Sequence, residues 1–345
     1  MLQFITKKIL YGFLVMNGVV IVVFFLFQGF GDPTRLIIGQ TGDSATIKNI
    51  RKELALDQPK WKQFVLYIND VSPIGVYNTL ERKEKNIKGI FIGNVGLKLP
   101  YLRRSYQSKK NVSTILNEAL PQTVLLAIAA MFIAVVIGIF LGIVAAVKQN
   151  TWMDTSSIFA SVLGISAPSF FIGIVLAYLF GFVFSHYTGL PLTGSLYEID
   201  AFGGKQIQFK NLILPAITLG IRPLAIITQL TRSSMLDVLN QDYIRTAYAK
   251  GLSTAKIIYK HALRNALNPV VTAITGWFAE LMAGAFFVEY IFGWNGIGKV
   301  TVAALENLDF PVVMGSVLLT AAFFVVVNIF SDILYSIIDP RIKLE

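Results

Sequence analysis

The sequence predicts an all-α membrane protein with six transmembrane helices, and three observations carry that reading. Of 345 residues, 54% are apolar and only 14% charged, with a mean hydropathy of +0.63, against about 45–50% apolar and about 25% charged in soluble domains. Six stretches reach the roughly 20 mainly apolar residues that cross a hydrocarbon core: Ile9 to Phe30, Leu120 to Val147, Ile158 to Phe184, Leu212 to Leu230, Leu267 to Phe292 and Val312 to Ile338. Lysine and arginine crowd the short loops on one side of those stretches.

The first span follows Lys7 and Lys8. It lacks a small-x-small cleavage site and is too long for a signal core, so it reads as a retained anchor. With its N-terminus cytoplasmic, the inner segments carry Lys7, Lys8, Lys148, Arg232, Arg245, Lys250, Lys256, Lys260, Arg264, Arg341 and Lys343, while the short outer loops carry only Lys205, Lys210 and Lys299. This asymmetry puts both termini inside. The polar segment 31–119, with "ERKEK" and "LRRSYQSKK", is then extracytoplasmic, because long segments translocate largely regardless of charge. The expected organisation is a cytoplasmic end and first span over 1–30, the extracytoplasmic segment over 31–119, a core of five spans over 115–338 with a cytoplasmic loop at 232–266, and a cytoplasmic tail at 339–345.

Composition also excludes function classes. With no cysteine and only His186 and His261, neither a disulfide framework nor a Cys- or multi-His metal site can form. The net charge of +10 lies in loops without the aromatic interleaving of a nucleic-acid surface.

"GWNGIGKV", Gly293 to Val300, has the G-x-x-x-x-G-K spacing of a phosphate loop, but Val300 stands where a Mg²⁺-binding hydroxyl belongs. The motif follows a long apolar helix rather than a buried strand, on the side away from nucleotide. It reads as an external turn built on Gly293, Gly296 and Gly298.

The longest cytoplasmic stretch between spans is "RSSMLDVLNQDYIRTAYAKGLSTAKIIYKHALRNALNP", Arg232 to Pro269. Asp242 is positioned to cap a helix "YIRTAYAK", Gly251 to end it in the left-handed region, and Ser253 to cap a second helix "TAKIIYKHALRNAL". Small residues (Ala247, Ala249) mixed with cations (Arg245, Lys250) suit the turn to a groove on another protein. An amphipathic loop on anionic lipid is the competing reading.

This stretch resembles the "EAA" loop of ATP-binding-cassette importer permeases, specifically the B-type subunit of the oligopeptide, dipeptide and nickel family. Gly251 falls on that motif's glycine, Arg245, Thr246 and Ala247 on its Glu-Ala-Ala, and Arg264 replaces its later proline. "GDPT", "LALDQPKWKQFVLYI", "LPQTVLLAIAAMFIAVVIGIFLGIVAA", "VEYIFGWNGIGK" and "DPRIK" are similar to the same family's pattern, in order. The resemblance implies the type I ABC importer permease fold and a path for peptides or a related solute such as nickel. It implies no enzyme activity and no bound cofactor, ATP being used by two cytoplasmic ATPase subunits. A second homologous permease, as a heterodimer, and an extracytoplasmic solute-binding protein complete the assembly in the bacterial inner membrane. Asp242, Tyr243, Arg245, Thr246, Ala247, Lys250, Gly251 and Ser253 then form the ATPase-coupling loop.

Charges within spans cost at least about 2.5–3.5 kcal/mol at the bilayer centre. Arg222 and Glu280 therefore either pair or line the path, Glu289 orders the external turn, and Asp332 faces the bundle. Small residues and prolines in "GISAPSFFIG" and "LPAITLGIRP" allow close helix approach and bending, placing the path beside Ser166, Pro168 and Ser169. An ion-gradient-driven transporter or channel would call for ionisable relays along the spans, and a membrane enzyme for a catalytic constellation. The sequence offers neither.

Overall fold

The computed structural model describes residues 2–28, 51, 56–200 and 204–338. "GDPT", "DPRIK" and the tail at 339–345 lie outside them. Among the described residues, four helices are long and apolar enough to cross a membrane unaided: they lie within α1 (Leu2–Gln28), α4 (Val112–Val147), α7 (Lys210–Leu239) and α12 (Phe310–Ile338).

The third and fifth predicted spans are bent pairs rather than straight helices. α5 (Trp152–Ser166) meets α6 (Ser169–Leu176), which continues as a π-helix to Val183, at 109°. The cause is Pro168: the residue before a proline is driven out of the α region, and Ala167 is extended at φ −80°, ψ 134°. The fifth span, containing α9 (Leu263–Gly284), bends by 59° into α10 (Phe286–Phe292). Counted as one span each, these pairs bring the total to six.

The described chain divides into two compact units. The first is built mainly from 121–299. Its centre is α7, which packs on α4 through Gly138 and Gly142, spaced as G-x-x-x-G. A Cβ at Gly142 would lie 2.8 Å from the carbonyl oxygen of Thr228. Small residues are what let two backbones approach so closely, and close packing replaces the hydrophobic drive that lipid removes. At one end of α7, Met235, Ile143, Ala146, Ile257, Ala262 and Ala266 form a buried cluster.

The second unit comprises 9–120 and 300–322. Here α1 packs through Phe24 on Phe64 and Tyr67 of α2 (Lys60–Val71), ring centroids 5.0 and 5.6 Å apart. Three short strands, β1 (Ile74–Val76), β2 (Gly89–Ile92) and β3 (Val95–Lys98), with the short helix α3 (Thr79–Lys85) between the first two, form an antiparallel sheet in the order β1-β3-β2, an addition to the all-helical reading. Asp70 is buried at the hub, with Arg103 Nε at 2.9 Å, Lys85 Nζ at 3.3 Å and the donating Tyr77 hydroxyl at 2.9 Å. Lys98, also buried, donates to the backbone carbonyls of Asp70 and Ser72. Desolvation lowers its ammonium to about 8 and holds the Tyr77 phenol above its ordinary range. Asp309, at the start of α12, accepts from the Ser105 hydroxyl and the Tyr106 amide.

Candidate functional site

Beyond α7 stands a short helix, α8 (Asp242–Ala249). Ile244 and Ala247, three residues apart and hence on one face, are buried in the cluster with Met235 and Ile257. The opposite face is open: Tyr243 is 42% and Tyr248 48% exposed, and Asp242, Arg245, Thr246, Ala249, Lys250 and Gly251 are exposed as well. The apolar stripe of Ile244 and Ala247 is thus satisfied by protein. Gln241, not Asp242, holds the N-cap position, with extended backbone at φ −75°, ψ 149°. No side-chain cap bond is made there. Asp242 is the first helical residue, where its carboxylate favours the positive helix end.

Gly251 has φ +73°, and its N–H donates to the Tyr248 carbonyl at 2.9 Å. Nothing lies within 4 Å of a Cβ built there, so conformation alone calls for glycine. Ser253 occupies the next N-cap position but caps nothing with its hydroxyl. The following helix is not continuous α: Ile257–Ala262 is a π-helix that buries Ile257, Ile258 and Ala262. Helix α9 follows, and Asn265 Nδ2 donates to the Tyr243 hydroxyl at 2.8 Å, tying the membrane helix to the exposed one.

Just before α8, Arg232 forks the carboxylate of Asp154, with Nη2 to Oδ2 at 2.8 Å, while the Asn150 amide donates to Oδ2 at 3.0 Å. In the sequence Arg232 reads only as a loop cation, and nothing marks Asp154. The pair is 78 residues apart, and no local pattern signals it.

Among the intramembrane residues, the Arg222 guanidinium lies over the Trp277 ring at 5.9 Å. Among the described residues, no ion pair joins Arg222 to Glu280, and both are exposed. Asp332 pairs with Lys8 of the first helix at 2.8 Å. Ser166, Pro168 and Ser169 sit at the break between α5 and α6.

The glycine-rich turn is already occupied. Gly293 closes α10 at φ +68°. The fully buried Glu289 carboxylate accepts from the Gly298 amide at 2.6 Å and the Lys299 amide at 3.3 Å, at the start of α11 (Ile297–Glu306). A Cβ at Gly296 or Gly298 would collide with that carboxylate. Lys299 Nζ binds the Gly293 carbonyl and Asn295 Oδ1, at 3.0 and 2.7 Å.

Comparison with known proteins agrees with this architecture. Residues 138–344 match the family described as binding-protein-dependent transport system inner membrane component. Residues 1–127 match its N-terminal membrane-component family. The chain is 36% identical to the dipeptide transport system permease protein DppB of Alkalihalophilus pseudofirmus, covering 99% of this chain and 100% of that one. It is 35% identical to the glutathione transport system permease protein GsiC of Escherichia coli, covering 99% of each. Among solved structures, a chain of the MetNI methionine ABC transporter superposes with a TM-score of 0.51 at 17% identity, covering 66% of this chain and 97% of that one.

Proposed function

The chain belongs to the binding-protein-dependent transport system inner membrane component family, and from that premise we propose that it carries peptides, with Tyr243 to Ser253 as the element its ATPases push. It is the membrane-spanning permease subunit of an ATP-binding-cassette importer in the bacterial inner membrane, and not itself an enzyme. ATP is hydrolysed on separate subunits, and the family works with a solute-binding protein. The ion-gradient reading gives way to that membership.

The observation that carries the coupling role is α8 itself. Ile244 and Ala247 fix it to the protein core, and its other face, with Tyr243, Arg245, Thr246 and Lys250, is exposed to a partner. A small helix anchored on one side and offered on the other transmits a push as a rigid body. In this reading both termini and α8 are cytoplasmic, 115–338 is the permease core, and Gly293, Gly296 and Gly298 form an outer turn ordered by Glu289. The segment 31–119 is an extracytoplasmic docking platform for the binding protein, and a second, homologous permease completes a heterodimer. Peptide is the proposed solute because relatives over 99% of the chain are named for dipeptide and glutathione transport.

The test is affinity purification of the tagged chain in mild detergent, identifying co-purifying subunits and bound solute, followed by uptake in proteoliposomes. Co-purification of ATPases and a second permease, with dipeptide uptake that needs ATP and survives a protonophore, is the expected result. Uptake that follows a proton gradient without ATPases would overturn it.

A further inference from the structure

Helix α9 carries a polar row that lipid cannot solvate. Asn265, Asn268, Thr272 and Glu280, with Gly276 between the last two, are all exposed, at spacings of three and four residues that keep them on one face. The opposite side, with Ala266, Val270, Ala279 and Leu281, is buried. The row runs from the bond between Asn265 and Tyr243 to Glu280, fifteen residues or about 22 Å of helix. Polar side chains facing outward at membrane depth persist only where they line water or another subunit.

Arg222 answers from α7. Between Leu214 and Arg232 it is the one exposed residue of that helix. Its guanidinium rests against Trp277, one helical turn before Glu280. The spans read from the sequence have their midpoints at Ile221 and between Ala279 and Glu280, so both charges stand at mid-depth. Transporters commonly hold their solute near that depth. No ion pair joins the two charges among the described residues, and an unpaired cation and carboxylate beside an aromatic ring match a molecule carrying both charges.

We propose that Arg222, Trp277 and Glu280 form a mid-membrane binding site for a zwitterion: Arg222 takes the terminal carboxylate of a short peptide, Glu280 takes its terminal ammonium, and the Trp277 ring packs beside it. The polar face of α9 is the wall along which the peptide leaves toward α8. This deepens the peptide-importer reading and rests on it.

The experiment uses the whole complex in proteoliposomes, with binding protein saturated with tritiated alanyl-phenylalanine. Peptide delivered and ATP hydrolysed are measured together. Arg222→Gln and Glu280→Gln are each expected to assemble with all partners and to keep binding-protein-stimulated hydrolysis. Each delivers about ten-fold less peptide per ATP, while Arg222→Lys and Glu280→Asp recover most of the delivery. Wild-type delivery by both Gln variants overturns the site. So does loss of assembly that Lys and Asp repair, since the charges would then hold subunits together. A wild-type complex that hydrolyses ATP but moves no dipeptide overturns the importer reading itself, before any variant is made.

Discussion

The Asn265 side-chain amide donates a hydrogen bond to the Tyr243 hydroxyl at 2.8 Å, joining α9 to α8 across 22 residues of chain. In the proposed coupling role, motion of α8 would reach α9 through this side-chain bond as well as through the connecting backbone. Tyr243→Phe removes the acceptor and little else. A neutral, partly exposed hydrogen bond contributes about 0.5–1.5 kcal/mol, so the complex should assemble normally with peptide delivered per ATP lowered at most about two- to twelve-fold. Unchanged stoichiometry in proteoliposomes would leave the connection to the backbone alone.

Gly251 tests the same element from its turn. A side chain at φ +73° costs roughly 1–2 kcal/mol, and the open space around it removes any clash. Gly251→Val should reach the membrane and assemble yet hydrolyse ATP without proportionate uptake. Normal uptake would count against α8 as the transmitting element.

The Asp154–Arg232 fork sets a stability prediction. The Asp154 side chain is 5% exposed and that of Arg232 22%. Arg232→Ala strands a buried carboxylate, which costs about 3–5 kcal/mol at full burial. Asp154→Ala leaves a guanidinium that can reach water, and costs less. The double variant should lose less than the two single losses summed, read as melting temperatures in detergent.

At the glycine-rich turn, Gly298→Ala pushes a methyl group into Phe286 and the Glu289 carboxylate and should cost about 1–3 kcal/mol by overpacking. Glu289→Gln keeps an acceptor of the same shape, whereas Glu289→Ala leaves the buried Gly298 amide unmatched, at about 1–3 kcal/mol, and the half-buried Lys299 amide at less. Thermal stability should fall in the order wild type, Gln, Ala; equal stabilities would show that the carboxylate orders nothing.

The Asp70 hub predicts a pH dependence. Between about 8 and the ordinary 10.5, folded Lys98 has released a proton that the unfolded chain still holds. Stability therefore rises with pH across that window, by at most about 1.4 kcal/mol per unit, and below it the full burial penalty stands. Tyr77, held above its ordinary 10.0, acts in the opposite sense: above pH 10 the unfolded chain loses the phenolic proton first, and stability falls. Melting temperatures from pH 7 to 11 should peak near 10, and Lys98→Met should flatten the rise.

Much of this was legible in the sequence because membrane insertion and turn geometry are local. The six apolar runs each correspond to a helix or bent pair, and Gly251 announced its left-handed backbone. "GISAPSFF" held the proline that breaks the third span, although not the size of the 109° bend. The hubs at Asp70, Asp154 and Asp309 were illegible, since their partners arrive from 33, 78 and 204 residues away. The polar row on α9 is divided in the sequence: a span that begins at Leu267 leaves Asn265 in a loop and Glu280 in the membrane. The predicted caps at Asp242 and Ser253 failed because good capping residues stood at positions where no side-chain bond is made.

The turn at "GWNGIGKV" can finally be viewed as a receptor whose ligand is attached to it. Glu289 is four residues from Gly293 and nine from Gly298. Tethering on so short a chain gives its carboxylate an effective concentration in the millimolar range or above, and a dissolved anion must displace it before touching either amide. The pattern that in another protein would select phosphate selects here an internal carboxylate, so mutation of Glu289, rather than addition of nucleotide, is what would empty it.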